Sequence, residues 1–228
     1  MTSKLFLLFF FVSIAIIILV INNRSVAQSA FTYLALGDSY TVGEGVAVSD
    51  TFSYQAVQLL RRSGYHCSAP EIIAQTGWTA AELREGIRNT HLLPSYQFVS
   101  LLVGVNDQYR GLDPEAYRQT FEAILKQAIL LTGDRKNRVF ILSIPDWSAT
   151  PFAEGKDRET ISAHIDRFNQ MNEEVARQYG VAYLNITPGT RQAGSNPRLL
   201  TADGLHYARK EYANWAVLLA ESMMQVFV

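Results

Sequence analysis

Five short apolar runs alternate along the chain with stretches of helical periodicity, and no other feature constrains the fold as strongly. The runs are Phe31–Leu36, Ile72-Ile73, Phe98–Val103, Val139–Ile144 and Val181–Leu184. Short apolar segments of this kind read as buried strands. Between and after them, Tyr54–Arg62, Thr79–Arg88, Pro114–Leu131, Glu159–Tyr179 and Tyr207–Val226 carry helix-period patterns. The order is therefore βαβαβαβαβα. Parallel neighbours need crossover connections, and right-handed crossovers pack helices back onto the sheet. The alternation predicts an α/β fold, a parallel sheet between two helical layers.

The third helix shows how its bounds are written locally. Asp113 stands at the N-cap position, Pro114 at the first helical position, and Glu115 in the first turn, where the helix dipole favours an anion. Tyr117, Phe121, Ile124, Leu125 and Ala128 recur at spacings of three and four, so they predict one buried face. Two long segments, Pro145–Asp157 and Thr187–Ala202, read as loops following strands. In open α/β sheets that edge is where ligands bind.

The N-terminus obeys a different pattern. Leu5–Ile21 contains only one polar residue, Ser13, and is preceded by Lys4 and followed by Arg24 and the small-x-small sequence Ser25-Val26-Ala27. This is the three-part layout of an export signal, with cleavage expected after Ala27 and residues 28–228 left as one domain. The run exceeds a usual signal core of roughly 7–15 residues and falls short of the ~20 that span a bilayer comfortably, so an uncleaved membrane anchor through residues 5–21 is the alternative. Without Lys4 and Arg24, eighteen of the 20 basic side chains stand against 21 acidic ones. Such a balance provides no footprint for nucleic acid. Cys67 is the single cysteine, so an exported chain gains no internal disulfide and depends on its core.

Chemistry concentrates at four places. The first strand runs into Gly37-Asp38-Ser39-Tyr40-Thr41, and a Ser between strand and helix can present its hydroxyl at the sheet edge beside free backbone N–H groups. Taken alone, this is equally a Gly/Ser turn. Near the other end, Asp203-Gly204-Leu205-His206 sets a carboxylate and an imidazole three residues apart, close enough for one turn to join them. A Ser hydroxyl needs such a base, and the base needs such an orienting acid. Gly77 follows the second strand, and Asn106 lies in Gly104-Val105-Asn106-Asp107 after the third. With the Ser39 N–H, the Gly77 N–H and the Asn106 amide supply three donors for one developing oxyanion.

These four blocks, in this order, resemble the signature of the SGNH (GDSL) hydrolases, and the chain is similar to their bacterial lysophospholipase-like esterases from about Thr32 to Ala220. The resemblance implies a five-stranded flavodoxin-like sheet in a three-layer α/β/α fold. It implies Ser39 as nucleophile, His206 as general base and Asp203 as its orienting acid. Ser39, Gly77 and Asn106 become the oxyanion hole, with no metal and no cofactor. Two departures stand out. The Ser lies in Gly-x-Ser-x-Thr, not the Gly-x-Ser-x-Gly of the α/β-hydrolase elbow. Where the family often has His-Pro-Ser, the chain has His206-Tyr207-Ala208, without the Pro that would start the last helix.

The remaining polar residues read as structural. Asp38 and Asp107 beside turn residues are expected to bind local backbone N–H groups. His66 and Cys67 lack partners at metal-ligand spacing, as do His91 and His164. Gly43 and Gly45 match no nucleotide-binding spacing and read as a flexible flank of Ser39. Trp78, Trp147, Phe152 and Tyr109 are candidates for an acyl pocket, with core packing the equal alternative, and Arg110 reads as a loop anchor. A lysophospholipid or short-acyl ester is the expected substrate. An O-acetylated glycan is the alternative, a non-catalytic binding domain the rival of both, and the motifs leave substrate and oligomeric state open.

Overall fold

In a computed structural model of the chain, residues 30–194 and 196–227 are described, and the expected export segment 1–27 lies outside them. Five strands, β1 (Tyr33–Gly37), β2 (Glu71–Ala74), β3 (Phe98–Leu102), β4 (Val139–Leu142) and β5 (Ala182–Leu184), pair in the order β2-β1-β3-β4-β5. Every pairing is parallel. This is the flavodoxin-like order, which reverses direction between β1 and β3. The three inner strands are buried at every residue, as parallel strands covered on both faces must be, while the edge strands β2 and β5 are mostly half-buried.

Eight helices accompany the strands among the described residues: α1 (Ser39–Val42), α2 (Phe52–Arg62), α3 (Ala80–Arg88), α4 (Val105–Tyr109), α5 (Pro114–Leu131), α6 (Arg158–Tyr179), α7 (Thr187–Gly194) and α8 (Arg209–Gln225). α2 packs on α8, while α3, α5 and α6 pack in succession. The five long helices sit where periodicity predicts them, and caps set the ends of four. Thr51 caps α2, Thr79 and Glu82 form a reciprocal capping box on α3, Asp113 caps α5, and Asp157 and Gly180 bound α6. All five predicted face residues of α5 are buried.

Three helices escape the periodicity. α1 and α4 are only four and five residues long, too short to show a period. α7 falls within the segment predicted as a loop, and its sequence Thr-Pro-Gly-Thr-Arg-Gln-Ala-Gly is a poor helix former. Tertiary contacts hold it instead. The Thr187 hydroxyl donates to the Ile144 carbonyl at 2.8 Å, and Arg191 Nε meets Asp146 Oδ2 at 2.8 Å. Asp146 is fully buried and also accepts bonds from Ser148 N and Ser162 Oγ. Burial opposes ionisation of this carboxyl, but the bonds from Ser148, Arg191 and Ser162 outweigh it and hold the group below its ordinary range.

The turn from β1 into α1 explains one motif residue. A Cβ on Gly37 would overlap the Thr41 hydroxyl and the Leu102 carbonyl, so the end of β1 admits no side chain. Asp38 then caps α1 by accepting the Tyr40 N–H at 3.1 Å. Gly43 and Gly45, expected as a flexible flank, take left-handed turn conformations at φ +80° and +79°, Gly43 closing α1 onto the Ser39 carbonyl. Their role is conformational.

Candidate active site

The carboxyl ends of β1, β2 and β3 deliver Ser39, Gly77 and Asn106 to the topological switch point, and the segment between α7 and α8 brings Asp203 and His206 over it. Ser39 Oγ lies 2.9 Å from His206 Nε2, and His206 Nδ1 lies 2.6 Å from Asp203 Oδ2. With the Nδ1–H donating to the carboxylate, Nε2 is the acceptor for the Ser39 hydroxyl. Ser39 and His206 are both buried, although 167 residues separate them in sequence.

The aim of His206 does not depend on the missing Pro. Asp203 Oδ1 accepts the backbone N–H groups of Leu205 (2.9 Å) and His206 (3.0 Å), which folds the four-residue turn around its own carboxylate. Thr201 N donates to the His206 carbonyl at 2.9 Å, and Ala208 N to that of Leu199 at 2.8 Å, clamping both flanks. The Tyr40 ring packs beside the imidazole, 5.4 Å between centroids. α8 begins at Arg209 with Ala208 in the cap position and no side-chain cap.

The Asp203 carboxyl is held ionised. Partial burial alone would raise it, but hydrogen bonds from Thr201 Oγ1 (2.6 Å), His206 and two backbone N–H groups keep it well below the usual carboxylate range. A fixed negative charge therefore faces Nδ1 throughout the neutral range. Thr201 was not expected among these partners; its position two residues before Asp203 is the signal that could have marked it.

The three donor groups line one cavity with Ser39. As the first residue of α1, Ser39 has an N–H without an intrahelical acceptor. Gly77 adopts φ +85°, a left-handed conformation that favours glycine. Asn106 Nδ2 donates to the Trp78 carbonyl at 2.9 Å, and an amide nitrogen carries two hydrogens, so this bond spends one of them. The cavity they share has a volume of about 150 Å³. Its polar wall is Ser39, Thr76, Gly77, Asn106 and His206, and the rest is Tyr40, Val105, Tyr109, Trp147, Phe152 and Leu205.

Trp147, Phe152 and Tyr109 thus take the lining positions open to them. Their rings stand 5.4, 5.9 and 6.2 Å apart in a three-membered cluster, with Trp147 buried and the other two partly exposed at the mouth. Trp147 is pinned by its indole N–H, which donates to Gln108 Oε1 at 2.8 Å; nothing in the sequence pattern marks Gln108 for this. Trp78 does not join the lining, because its indole lies against Gly86 on α3. Arg110 is the anchor expected, donating to the Gly77 carbonyl and pairing with Glu82 at 3.3 Å.

Asp38 and Asp107 bind backbone as expected, Asp107 Oδ2 accepting the Ala80 N–H at 2.9 Å. Burial pushes the Asp38 carboxyl up to about 8, with the nearby Asp107 charge adding to the rise. Burial likewise lifts Asp107 to about 6.

A parallel sheet of this order, with Ser, Gly, Asn and His converging at its carboxyl edge, defines a hydrolase of the SGNH type. The chain belongs to the GDSL-like lipase/acylhydrolase family, whose profile matches residues 35–213, and it is a hydrolase of ester bonds. Among solved structures it is similar to TesA, with a TM-score of 0.68 and 21% identity over 86% of this chain and 99% of that one. A lipase/acylhydrolase from Enterococcus faecalis superposes with a TM-score of 0.69 at 17% identity, covering 86% and 96% of the two chains. An acetylxylan esterase from Geobacillus stearothermophilus does so at 0.63 and 15%, covering 86% and 94%. At these identities the likeness concerns the fold alone. No curated protein sequence matches the chain.

Proposed function

We propose that the protein is a serine esterase for short acyl groups that works through an acyl-enzyme. Ser39 Oγ attacks the ester carbonyl as His206 Nε2 takes its proton, and the carbonyl oxygen becomes an oxyanion facing the Ser39 and Gly77 N–H groups and the Asn106 amide. His206 then protonates the leaving alcohol as the ester C–O bond breaks. Water, deprotonated by the same imidazole, releases the acid and regenerates Ser39. Asp203 holds the tautomer and stabilises the imidazolium without taking the proton.

The observation that carries this reading is the unbroken relay Ser39–His206–Asp203 at 2.9 and 2.6 Å, opening into a small, largely apolar cavity. Cavity size supports the acyl preference. Sites for drug-sized ligands measure roughly 300–1,000 Å³, and an apolar cavity of about 150 Å³ suits a group of benzene's bulk. The same size, with the exposed Tyr109 and Phe152 faces at the mouth, also supports an acetyl group carried on a sugar. Ser39→Ala is expected to abolish hydrolysis of p-nitrophenyl butyrate and labelling by a fluorophosphonate. Retained turnover in pure protein refutes the assignment. Acetylated xylan set against p-nitrophenyl butyrate and a lysophospholipid ranks the substrates.

Export is part of the proposal, supported by Lys4, the 5–21 apolar run and Ser25-Val26-Ala27. The mature protein is expected to begin at Gln28, which mass spectrometry of the cell-envelope fraction checks; an intact N-terminus there favours the anchor.

A further inference from the structure

We infer that Arg110 is a positioning residue for the oxyanion hole, acting through the backbone of Gly77; the inference rests on the esterase reading above. Glycine lacks the Cβ that restricts the backbone of other residues, so nothing intrinsic to Gly77 fixes it at φ +85°, and a peptide rotation would turn the proposed donor away from the cavity. The neighbouring backbone is held at several points by one short helix and the residue after it. Arg110 Nη2 donates to the Gly77 carbonyl, Asn106 Nδ2 to the Trp78 carbonyl at 2.9 Å, and Asp107 Oδ2 receives the Ala80 N–H at 2.9 Å. The turn itself closes with Trp78 N donating to the Gln75 carbonyl at 3.1 Å. α4 and its C-cap thus staple residues 77–80.

Among these contacts, Arg110 alone bonds Gly77 itself, at the carbonyl end of the residue whose N–H is the proposed donor. Its guanidinium lies against Gly77, 3.8 Å from where a Cβ would sit, and it is absent from the cavity lining, so it acts without touching substrate. Its second amino group meets Glu82 Oε1 at 3.3 Å. Glu82 is fixed in turn by the Thr79 capping box, with Thr79 N donating to Glu82 Oε2 at 2.7 Å. Arg110 therefore ties the Gly77 carbonyl to the first turn of α3. The Arg110–Glu82 pair is almost half exposed, where an ion pair contributes little to stability. The charge-assisted bond to a carbonyl is the stronger one, and it lies on the catalytic side.

The two roles separate in kinetics. Deleting one oxyanion donor typically costs 10²–10³ in kcat, so loosening one of three donors is expected to cost about tenfold. Arg110→Met is expected to lower kcat for p-nitrophenyl butyrate by about tenfold, with KM within twofold and the thermal midpoint within about 2 °C of wild type. Arg110→Lys retains one donor for the Gly77 carbonyl and is expected to recover a large part of kcat. Phosphonylation of Ser39 should slow in step with kcat, since it builds charge on the same oxygen. Unchanged kcat in Arg110→Met, a rise in KM alone, or an Arg110→Lys variant as slow as Arg110→Met overturns the inference. If wild-type protein itself neither turns over ester nor reacts with the phosphonate, the esterase reading fails first.

Discussion

Trp147 provides the sharpest test of the proposal that the cavity receives the acyl group. The indole is 4% exposed, forms one wall of the 150 Å³ site, and is locked by Gln108 below and by Tyr109 and Phe152 beside it. Trp147→Ala removes that wall while leaving the 2.9 Å Ser39–His206 contact to other elements. Each methylene that gains burial contributes about 0.8 kcal/mol, a factor of about four at room temperature. The four methylenes between butyryl and octanoyl could therefore contribute about 3 kcal/mol, or about 200-fold, if all entered the new space. A partly wet cavity delivers less, and a rise of about 10- to 100-fold in the octanoyl-to-butyryl ratio of kcat/KM is expected. Acetyl hydrolysis should change little. The assay is kcat/KM across p-nitrophenyl esters from acetyl to octanoyl, alongside a melting curve. Loss of a buried aromatic costs about 3–5 kcal/mol, so Tm should fall by roughly 6–20 °C. A folded variant whose chain-length ratio matches wild type would show that the acyl group lies elsewhere.

Three other outcomes are expected. Asn106→Ala should reduce kcat by about 10²–10³ with KM little changed, and an unaltered kcat in steady-state assays would mean that the oxyanion is stabilised by other groups. Asp146→Ala removes the buried acceptor of Ser148 N, Ser162 Oγ and Arg191 Nε, while Arg191 keeps its exposed partner Asp166, and should destabilise the fold by about 1–3 kcal/mol in urea unfolding at pH 7. Because the Asp146 carboxyl titrates below its ordinary range, that difference should shrink as pH falls below about 4; a constant difference contradicts the pairing. Asp38 behaves oppositely. Its carboxyl keeps a proton up to about 8 in the folded state, while the unfolded chain releases it near pH 4, so folding stability should fall as pH rises through that window. Asp38→Asn retains an acceptor for the Tyr40 N–H and should flatten this slope in unfolding measured at pH 4.5, 6 and 8. Parallel slopes in the two proteins would remove Asp38 as the cause.

Which parts of this molecule were legible in one dimension follows from the range of the interactions involved. Caps and apolar spacing act within one or two turns, so the long helices and their ends at Thr79, Asp113 and Gly180 can be read directly. α7 cannot, because a Pro- and Gly-containing segment becomes helical only when Ser143, Ile144 and Asp146 arrive from the segment following β4 to hold it. Gln108 and Trp147 are 39 residues apart, and no local pattern announces their bond. Trp78 takes the other of its two open alternatives, an aromatic at a strand end that packs away from the cavity because Gly86 leaves space for it on α3.

The amino-acid sequence by itself determined the alternation of strand and helix, the parallel sheet that alternation requires, and the residue types able to perform acyl transfer. Those are consequences of periodicity and side-chain chemistry, both local. Only the tertiary structure decided that Ser39 and His206 stand 2.9 Å apart and that the cavity beside them holds about 150 Å³. Distances across 167 residues and the shape of an active-site cleft depend on how whole layers pack, and packing is set by every contact in the core at once.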